Sequence, residues 1–375
     1  MAEIHLKNLA HSYMKTPQSP SDFAIHEMDH VWQQGGAYAL LGPSGCGKST
    51  LLNLISGLIK PSHGSVLFDN IEVNNIATQD RNIAQVFQFP VIYDSMSVYE
   101  NLAFPLRNMK VAKDKIESKV QEVANTLDLT DILHRKANNL SADEKQKISM
   151  GRGLVRDDVS AILFDEPLTV IDPNLKWKLR RKLKQIHERY NITMVYVTHD
   201  QLEASTFADK IALMYEGKIV QFGTPRELFE EPKHTFVGYF IGSPGMNFIE
   251  LTEQNSEGNT EFSFDDIIFP LNNTQKLALQ NTASTNIKLG IRPEFVQLSS
   301  SAHPDSLPCE VIYVEDLGTY KIVSVMLGKQ TLKVRLGEDQ QTPTDTAYLH
   351  FPEQWLKIYI DEYLVDLSTG DNNNE

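Results

Sequence analysis

The segment at residues 37–50, AYALLGPSGCGKST, constrains the fold of this chain more than any other segment. It begins with an apolar run, continues through a glycine-rich turn and leads into an apolar segment with helical spacing. The G-x-x-x-x-G-K-S pattern predicts a phosphate-binding loop between a buried strand and a helix. In such a loop the backbone N–H groups converge on the phosphates, and the positive end of the helix adds to the attraction. The alternative is a glycine turn without a ligand, but the strand before it and the helix after it favour nucleotide binding.

The residue types in this loop match the chemistry of a bound nucleotide. The Lys48 ammonium is expected to reach the β- and γ-phosphates. The Ser49 hydroxyl is expected to ligate Mg²⁺, a cation that prefers oxygen ligands. The residues expected to surround the nucleotide are Gly42, Pro43, Ser44, Gly45, Cys46, Gly47, Lys48, Ser49 and Thr50.

Length, charge and cysteine content limit the class of protein. A chain of 375 residues is long enough for two domains with separate cores. The formal net charge of −14 argues against nucleic acid or an anionic membrane surface as the main partner. Two cysteines, Cys46 and Cys309, exclude a disulfide framework. The start has no apolar signal core, and no stretch approaches the roughly twenty apolar residues of a membrane span. We expect a soluble cytoplasmic protein that meets a membrane only through a partner.

Strands and helices alternate along the first part of the chain, which predicts an α/β fold with a largely parallel sheet. A helical segment over residues 95–158 interrupts this pattern. Asp165 and Glu166 follow one apolar strand, and His199 follows another. Because ligands bind at the carboxyl ends of parallel strands, these residues are expected to share one site with the phosphate loop.

Each of these polar residues has a chemical and a structural interpretation. Asp165 suits the Mg²⁺ shell, and Glu166 can orient or deprotonate the water that attacks a γ-phosphate. The alternative is that the Asp-Glu-Pro sequence only ends a strand. His199 could hydrogen-bond the γ-phosphate, although a lone histidine at a strand end is more often structural. Tyr13 could stack on an adenine ring, but its spacing alone favours an exposed loop tyrosine.

The pattern of apolar and polar residues changes beyond residue 240. Residues 242–245, GSPG, are typical of a linker. Short alternating segments separated by turn residues then predict a small all-β barrel or sandwich. The tail at residues 370–375 is expected to be disordered.

Over its first 240 residues the chain resembles the ATPase subunits of ABC transporters. Residues 42–49 are similar to the Walker A loop, and residues 162–166 are similar to Walker B with its catalytic glutamate. The resemblance implies ATP and Mg²⁺ as cofactors and places an adenine-stacking aromatic at Tyr13. It implies that Lys48, Gln88, Glu166 and His199 act in hydrolysis, and that Ser49, Gln88 and Asp165 hold the metal. In that family Gln88 would belong to the Q-loop, Asp172 to the D-loop, and His199 would be the switch histidine.

The C-terminal region resembles the sugar-importer branch, which includes the maltose and glycerol-phosphate ATPases. The resemblance lies in residues 240–248, FIGSPGMNF, and 290–294, GIRPE. It implies a small OB-like (TOBE-type) domain with regulatory and dimerisation roles. The expected domains are an ABC nucleotide-binding domain at 1–240, with a helical subdomain at about 89–158, and an OB-like domain at 241–369.

One motif departs from the family pattern. The family signature is Leu-Ser-Gly-Gly-Gln, whereas residues 140–146 read LSADEKQ. In the family this segment, with Asp172 nearby, reaches the γ-phosphate bound by the opposite subunit. Ser141 is retained, but Asp143 would bring a carboxylate toward that phosphate. At about 5 Å and an effective dielectric near 20, each charge pair costs roughly 3 kcal/mol. The cost would fall if Asp143 points to solvent or pairs with Lys145 or Lys147.

This variant signature resembles one ATPase subunit of bacterial glycerol importers, which use two different ATPases. The chain is therefore expected to hydrolyse ATP for import of a polyol or sugar, with glycerol as the expected solute. It would lie at the cytoplasmic face of the inner membrane, beneath membrane permeases and beside a second ATPase. A periplasmic solute-binding protein would act indirectly, and nucleic acid would have no part. The permease coupling helix is expected near Gln88, against the apolar residues Phe89, Val91, Ile92 and Tyr93.

Three alternatives remain open at this stage. The first is a homodimeric importer of another carbohydrate or of glycerol phosphate. The second is a regulatory subunit that binds ATP with weak hydrolysis; the altered signature favours it, whereas Glu166 and His199 argue against it. The third is a non-transport ABC protein of translation or DNA repair. That group usually carries two cassettes or a long coiled-coil insertion, and neither pattern is found in this sequence, whose C-terminal β region favours transport.

Overall fold

The computed structural model describes residues 2–256, 259–280, 286–343 and 346–366. The chain divides into two compact units, Met1–Pro225 and Arg226–Glu375. The tail expected to be disordered, residues 370–375, lies outside the described residues. No helix of the described ranges combines the length and the apolar character needed to cross a bilayer.

The first unit combines strands and helices. Its strands are β1 (Ile4–His11), β2 (Ile25–Trp32), β3 (Ala37–Leu41), β4 (His63–Phe68), β5 (Ile71–Glu72), β6 (Ile83–Val86), β7 (Ala161–Asp165), β8 (Met194–Thr198), β9 (Lys210–Tyr215) and β10 (Lys218–Gly223). Its α-helices are α1 (Lys48–Ser56), α2 (Val98–Asn108), α3 (Lys113–Thr126), α4 (Ala142–Leu154), α5 (Pro173–Tyr190) and α6 (Gln201–Phe207).

The main sheet has the strand order β10-β9-β3-β8-β7-β6. All of its pairs are parallel except the one between β9 and β10. The strands β3 and β8 are buried along their whole length, as expected for parallel strands covered on both faces. This sheet confirms the α/β prediction. It also places the loops after β3, β7 and β8 at the same edge, because those strands are adjacent and parallel.

A second, antiparallel sheet in this unit has the order β2-β1-β4-β5. The sequence predicts strands near β1, β2 and β4, but it does not show that they form a separate sheet. Alternation along a strand reports which face is buried and not which strand is its neighbour. The fully buried Trp32 and Leu6 belong to a core that this sheet shares with β3 and α1.

Three helices occupy the segment for which a helical insertion is expected. The helix α2 begins at a capping box in which Ser97 and Glu100 bond each other's backbone N–H groups. Ile116, Val120 and Val123 form the buried face of α3. The helix α4 comes close to α2 at Gly151, where an added Cβ would lie 2.5 Å from a methyl carbon of Leu102.

The second unit is mostly β. Its strands are β11 (Asn247–Ser256), β12 (Asn259–Phe264), β13 (Ile267–Ile268), β14 (Ile287–Ile291), β15 (Gln297–Ser299), β16 (Leu307–Asp316), β17 (Tyr320–Leu327), β18 (Gln330–Gly337), β19 (Thr346–His350), β20 (Lys357–Ile360) and β21 (Tyr363–Leu364). Its helices are α7 (Pro225–Glu230), α8 (Thr235–Phe240) and α9 (Asn273–Gln280). The strands form two antiparallel sheets, β13-β12-β11-β14-β20-β21 and β15-β19-β16-β17-β18, around one apolar core. This arrangement confirms the predicted all-β C-terminal domain.

The division between the units precedes the expected linker. Residues 242–245 lie inside the second unit because α7 and α8 bond to it. The guanidinium of Arg292, which follows β14 and is 1% exposed, donates to the carbonyls of Leu228 and Phe229 on α7. It also donates to the carbonyls of Gly238 on α8 and of Ile241 just beyond it. Carbonyl groups of both helices therefore have their hydrogen-bond donor, Arg292, in the β part of the second unit.

His30 on β2 makes the first unit sensitive to acid. Its ring meets Trp32 and Phe222 edge-on, at centroid distances of 5.0 and 4.5 Å. Burial lowers the pKa of His30 from 6.5 to about 4, although Asp29 acts in the opposite direction. Between pH 6.5 and 4 the unfolded chain therefore binds more protons than the folded chain. We expect up to about 3 kcal/mol of stability to be lost as the pH falls through this range.

Urea unfolding at pH 7.5, 6 and 5, followed by tryptophan fluorescence, tests this expectation. His30→Phe should flatten the pH dependence, whereas His134→Gln, at an exposed position, should leave it unchanged. An undiminished slope in the His30→Phe variant would assign the acid sensitivity to other groups.

Candidate active site

The loop between β3 and α1 has a backbone that requires glycine. Gly42 has φ +157° and Gly47 has φ +103°. An added Cβ would lie 2.3 Å from the Met214 carbonyl oxygen at Gly42, and 2.7 Å from the Ala24 carbonyl oxygen at Gly47. Both contacts are with backbone atoms that cannot move aside. The loop can therefore follow the tight path of a phosphate-binding turn only with these glycines.

Lys48 lies within this loop. Its side chain is buried, and Nζ donates to the carbonyl oxygens of Gly42 at 2.9 Å and Pro43 at 2.8 Å. Lys48 is also the first residue of α1, so its charge adds to the positive end of the helix. Phosphate oxygens entering the loop would be stronger acceptors than these carbonyls, because both partners would be charged.

Ser49 and Asp165 meet across the end of the sheet. The Ser49 hydroxyl donates to Asp165 Oδ1 at 3.2 Å, from the start of α1 to the last residue of β7. Burial raises the pKa of the Asp165 carboxyl above its ordinary value, and Glu166 acts in the same direction. The Ser49 hydrogen bond and Lys48 oppose this shift. A divalent cation between these two oxygens would favour the ionised carboxylate.

Glu166 and His199 form the next pair along the same edge. His199 Nδ1 lies 3.1 Å from Glu166 Oε2. The Glu166 backbone has φ +45°, an uncommon value for a residue with a side chain, and its N–H donates to the Val197 carbonyl at 3.0 Å. The turn after β7 is therefore fixed to β8, and both side chains stay accessible, with 22% of Glu166 and 57% of His199 exposed. A carboxylate and an imidazole in contact can orient a water and exchange a proton with it.

Tyr13 lies beside the start of α1. Its hydroxyl is 3.1 Å from the Thr50 hydroxyl, its ring meets His11 edge-on at 4.8 Å, and 66% of the residue is exposed. The ring therefore stands next to the nucleotide loop with a free face.

We expect Tyr13→Ala to weaken ATP binding by about 1–2 kcal/mol, because the alanine cannot stack on the base. Tyr13→Phe keeps the ring and removes only the hydroxyl contact with Thr50, so it should bind ATP nearly as well as the unchanged protein. Titration calorimetry with ATP measures both. Equal dissociation constants for the two variants would show that the ring does not stack on adenine.

Gln88 follows β6 by two residues and is half-buried. Gln146 of α4 donates to the Phe87 carbonyl at 2.9 Å and fixes the start of this loop. Beyond it, Phe89, Val91 and Tyr93 are exposed. Ile92, the fourth apolar residue expected to contact a coupling helix, is half-buried, and that contact stays a prediction.

The three residues expected to act on a partner's nucleotide lie at helix starts. Ser141 caps α4, and its hydroxyl donates to the Asp143 carboxylate and lies 3.0 Å from Glu144 Oε2. Asp172 caps α5 by accepting from the Asn174 N–H at 2.8 Å. Of the two lysines that could offset the Asp143 charge, Lys145 contacts Asp94 at 2.9 Å, and the Asp143 carboxylate accepts instead from the Ser141 hydroxyl.

One charged residue beside the site is missed by sequence reasoning. Glu203 on α6 is 4% exposed and its carboxylate contacts Thr198, directly before His199. The signal in the sequence is an acidic residue at a helix position that faces the sheet, four residues after the histidine. Such a position is identifiable only once the start of α6 is known.

Comparisons with known proteins support the assignment of a nucleotide site to these residues. Residues 25–169 match the family described as ABC transporter, and residues 242–296 match the MalK OB fold domain. The chain is 39% identical over 330 residues to the sn-glycerol-3-phosphate import ATP-binding protein UgpC of Escherichia coli O157:H7. This match covers 88% of the chain and 90% of that relative. The protein of the same name in Bordetella avium is 37% identical over 335 residues, or 89% of each chain.

Solved structures resemble the chain in the same way. One is cbiO1 from Clostridium perfringens, part of an ABC transporter complex, with a TM-score of 0.55 and 27% identity over 61% of this chain and 90% of that one. Another is the ATP-binding cassette MJ0796 in a post-hydrolysis state, bound to ADP and Pi. It has a TM-score of 0.52 and 28% identity over 59% of this chain and 98% of that one.

The sheet and its phosphate loop define a P-loop nucleotide hydrolase followed by an OB-type β domain. The chain belongs to the ABC transporter ATP-binding proteins, in the importer branch with a MalK-type C-terminal domain. It is the ATP-binding, ATP-hydrolysing subunit of an ABC importer.

Proposed function

We propose that this subunit energises import of a glycerol phosphate or a closely related polyol, and that it works with a different ATPase subunit. The observation that supports a different partner subunit is the contrast between the residues that bind this chain's own nucleotide and the signature segment that would reach the partner's nucleotide. The phosphate loop, Asp165, Glu166 and His199 are all present and converge at one edge of the sheet. The signature segment, in contrast, bonds its serine to its own acidic residues.

Mg²⁺ fits the oxygen atoms at the end of β7. Ser49 and Asp165 would hold it, and the ion would offset the phosphate charge during hydrolysis. The described part of the chain holds no group of three or more His, Cys, Asp or Glu side chains suited to a metal. Phosphate oxygens and water would therefore supply the remaining ligands. Gln88 is proposed as a further ligand on the resemblance alone.

In the proposed reaction Glu166 orients and deprotonates the attacking water, and His199 contacts both that carboxylate and the γ-phosphate. Lys48 would exchange its carbonyl partners for phosphate oxygens. Ser141 and Asp172 would reach the nucleotide of the second subunit. Asp143 would place a negative charge there, which favours a partner that supplies an intact signature to this chain's own phosphate loop.

The solute proposal follows the relatives. Both relatives described above are named for import of sn-glycerol 3-phosphate, which favours the phosphate ester over free glycerol. The ATPase itself does not contact the solute in this proposal. Permease subunits and a periplasmic solute-binding protein would select it, and the coupling helix of a permease would dock beside Gln88 on Phe89, Val91 and Tyr93. The subunit would thus lie at the cytoplasmic face of the inner membrane.

Uptake by the complete transporter tests the proposal. The chain is co-produced with its permeases, binding protein and second ATPase, and reconstituted in proteoliposomes loaded with ATP and Mg²⁺. Radiolabelled sn-glycerol 3-phosphate and glycerol are offered separately. We expect ATP-dependent uptake of the ester. If only glycerol is taken up, the solute is glycerol and not its phosphate ester. If neither compound is taken up, this class of solute is excluded.

A further inference from the structure

The buried carboxylate of Glu203 joins the strand that ends at His199 to the helix that follows Asp172. Its Oε2 accepts hydrogen bonds from the Tyr196 hydroxyl at 3.1 Å and the Thr198 hydroxyl at 3.0 Å, both on β8. Its Oε1 lies 3.5 Å from Lys176 Nζ and 3.9 Å from an Arg180 guanidinium nitrogen, both on α5. Burial and the neighbouring Glu203 raise the pKa of Tyr196 well above its ordinary value, so this hydroxyl remains a donor.

The contact with Thr198 controls the backbone on both sides of His199. The Thr198 hydroxyl donates to Glu203 and accepts from the Asp200 N–H at 3.0 Å. The residue before the histidine and the residue after it are therefore held by one hydroxyl group. Asp200 also caps α6, where it accepts from the N–H groups of Leu202 and Glu203.

The imidazole of His199 needs such support because more than half of it is exposed. Packing cannot fix an exposed ring, so its 3.1 Å contact with Glu166 depends on where the backbone directs it. Glu203 does not touch Glu166 or the phosphate loop in any hydrogen bond of the described residues. Its shortest connection to His199 among the described hydrogen bonds is through the Thr198 hydroxyl.

We propose that Glu203 is a positioning residue that holds His199 in register with Glu166 through the Thr198 hydroxyl. Its contacts with Lys176 and Arg180 fix the same carboxylate to α5, which begins at Asp172. The position of the histidine is thereby tied to the helix whose start is proposed to reach the partner's nucleotide. The inference rests on the proposed role of His199 in hydrolysis, and it names residues that act through the histidine.

The main test is ATPase activity of the assembled transporter with matched variants of the network. Thr198→Val removes the hydroxyl while keeping the shape, and Thr198→Ser keeps the hydroxyl. Glu203→Gln keeps the shape but removes the charge. We expect Thr198→Val and Glu203→Gln to lower kcat about tenfold, the effect of losing one or two hydrogen bonds, with KM for ATP changed less than about twofold. Thr198→Ser should stay within about twofold of the unchanged protein.

Asp209→Asn serves as the structural control. Asp209 pairs with Lys184 on the same helix, α5, and accepts from the Ala37 N–H, but it bonds no residue next to His199. It should lower the melting temperature and leave kcat nearly unchanged. If Asp209→Asn and Glu203→Gln lower kcat equally at equal loss of melting temperature, Glu203 has only a structural role.

A double-mutant cycle separates this inference from the proposed function. In the His199→Ala background, Glu203→Gln should cause little further loss of kcat, because its effect passes through the histidine. Full additivity of the two losses would overturn the inference. If His199→Ala itself keeps normal turnover, the proposed role of the histidine fails instead. If Glu203→Gln does not fold, Thr198→Val against Thr198→Ser gives the same decision.

Discussion

The Glu166→Gln variant should bind ATP normally but hydrolyse it at least about a hundredfold more slowly in the assembled transporter. The glutamine keeps the shape of the side chain and loses the ability to take a proton from water. Glu166 suits this role because the turn after β7 presents it beside His199, 3.1 Å away, and next to Asp165. Phosphate release under saturating ATP measures the loss, and nucleotide binding is checked separately.

Glu122→Gln provides a matched control for the first prediction. Glu122 on α3 has 28% of its side chain exposed, close to the 22% of Glu166, and it contacts Tyr190 and Arg189 away from the phosphate loop. It should leave turnover within about twofold of the unchanged transporter, since it touches none of the reacting groups. Turnover of Glu166→Gln within a few-fold of the unchanged protein would rule out Glu166 as the general base.

The second large effect should come from the altered signature. We expect transporter complexes that contain only this ATPase to hydrolyse ATP slowly, and complexes with a partner carrying Leu-Ser-Gly-Gly-Gln to regain fast, solute-stimulated turnover. In complexes of this chain alone, Asp143 would face both nucleotides. One carboxylate about 5 Å from a phosphate charge costs roughly 3 kcal/mol, or about a hundredfold in rate or affinity. The structure adds a second handicap, because the Ser141 hydroxyl donates to Asp143 and must leave it to reach a phosphate.

Variants of the signature separate charge from backbone. Ala142→Gly alone tests the loss of a helix-favouring residue at the start of α4 and should change little. Asp143→Asn removes the charge, and the double change to glycine at 142 and 143 removes the charge and also restores the glycines of the family signature. The last two should raise the ATPase activity of complexes containing only this subunit. Glutamate-to-glutamine change at 166 should stop transport by the mixed complex, whereas the same change in the partner should matter less.

Reconstitution with this subunit alone, with the partner alone and with both decides the question. Full solute-stimulated turnover from complexes containing only this subunit would show that Asp143 is harmless, and the heterodimer proposal would then lose its main support.

The sequence predicts the active-site edge well because its chemistry is local. The glycines, Lys48 and Ser49 lie in one short segment, and Asp165, Glu166 and His199 follow short apolar runs typical of buried strands. Parallel pairing then brings the strand ends together without further information. Spacing alone indicates an exposed loop residue at Tyr13, and the ring is exposed beside Thr50. Its stacking on adenine follows from the resemblance and stays a prediction.

The features that the sequence does not reveal depend on distant partners or on side-chain direction. The position of α7 and α8 depends on Arg292, which is more than fifty residues further along the chain. The contact between Ser141 and Asp143 is local, but the sequence does not show whether Asp143 bonds to Ser141 or to a nearby lysine. In the structure Lys145 bonds to Asp94 instead. The residues around Glu203 form no recognisable motif, so the sequence does not indicate its role.

The hydrogen bonds of Arg292 determine where the chain can be divided into fragments or joined to the C-terminal domain of a related protein. A fragment ending at residue 240 would keep α7 and α8 but remove the guanidinium that binds the carbonyls of Leu228, Phe229 and Gly238. The β fragment left behind would keep Ile241 but lose the Leu228, Phe229 and Gly238 carbonyls that bind Arg292, a side chain whose pKa burial in the intact chain lowers to about 10. Expression of separate fragments, or exchange of C-terminal domains among related importers, should therefore use a junction at 225–226.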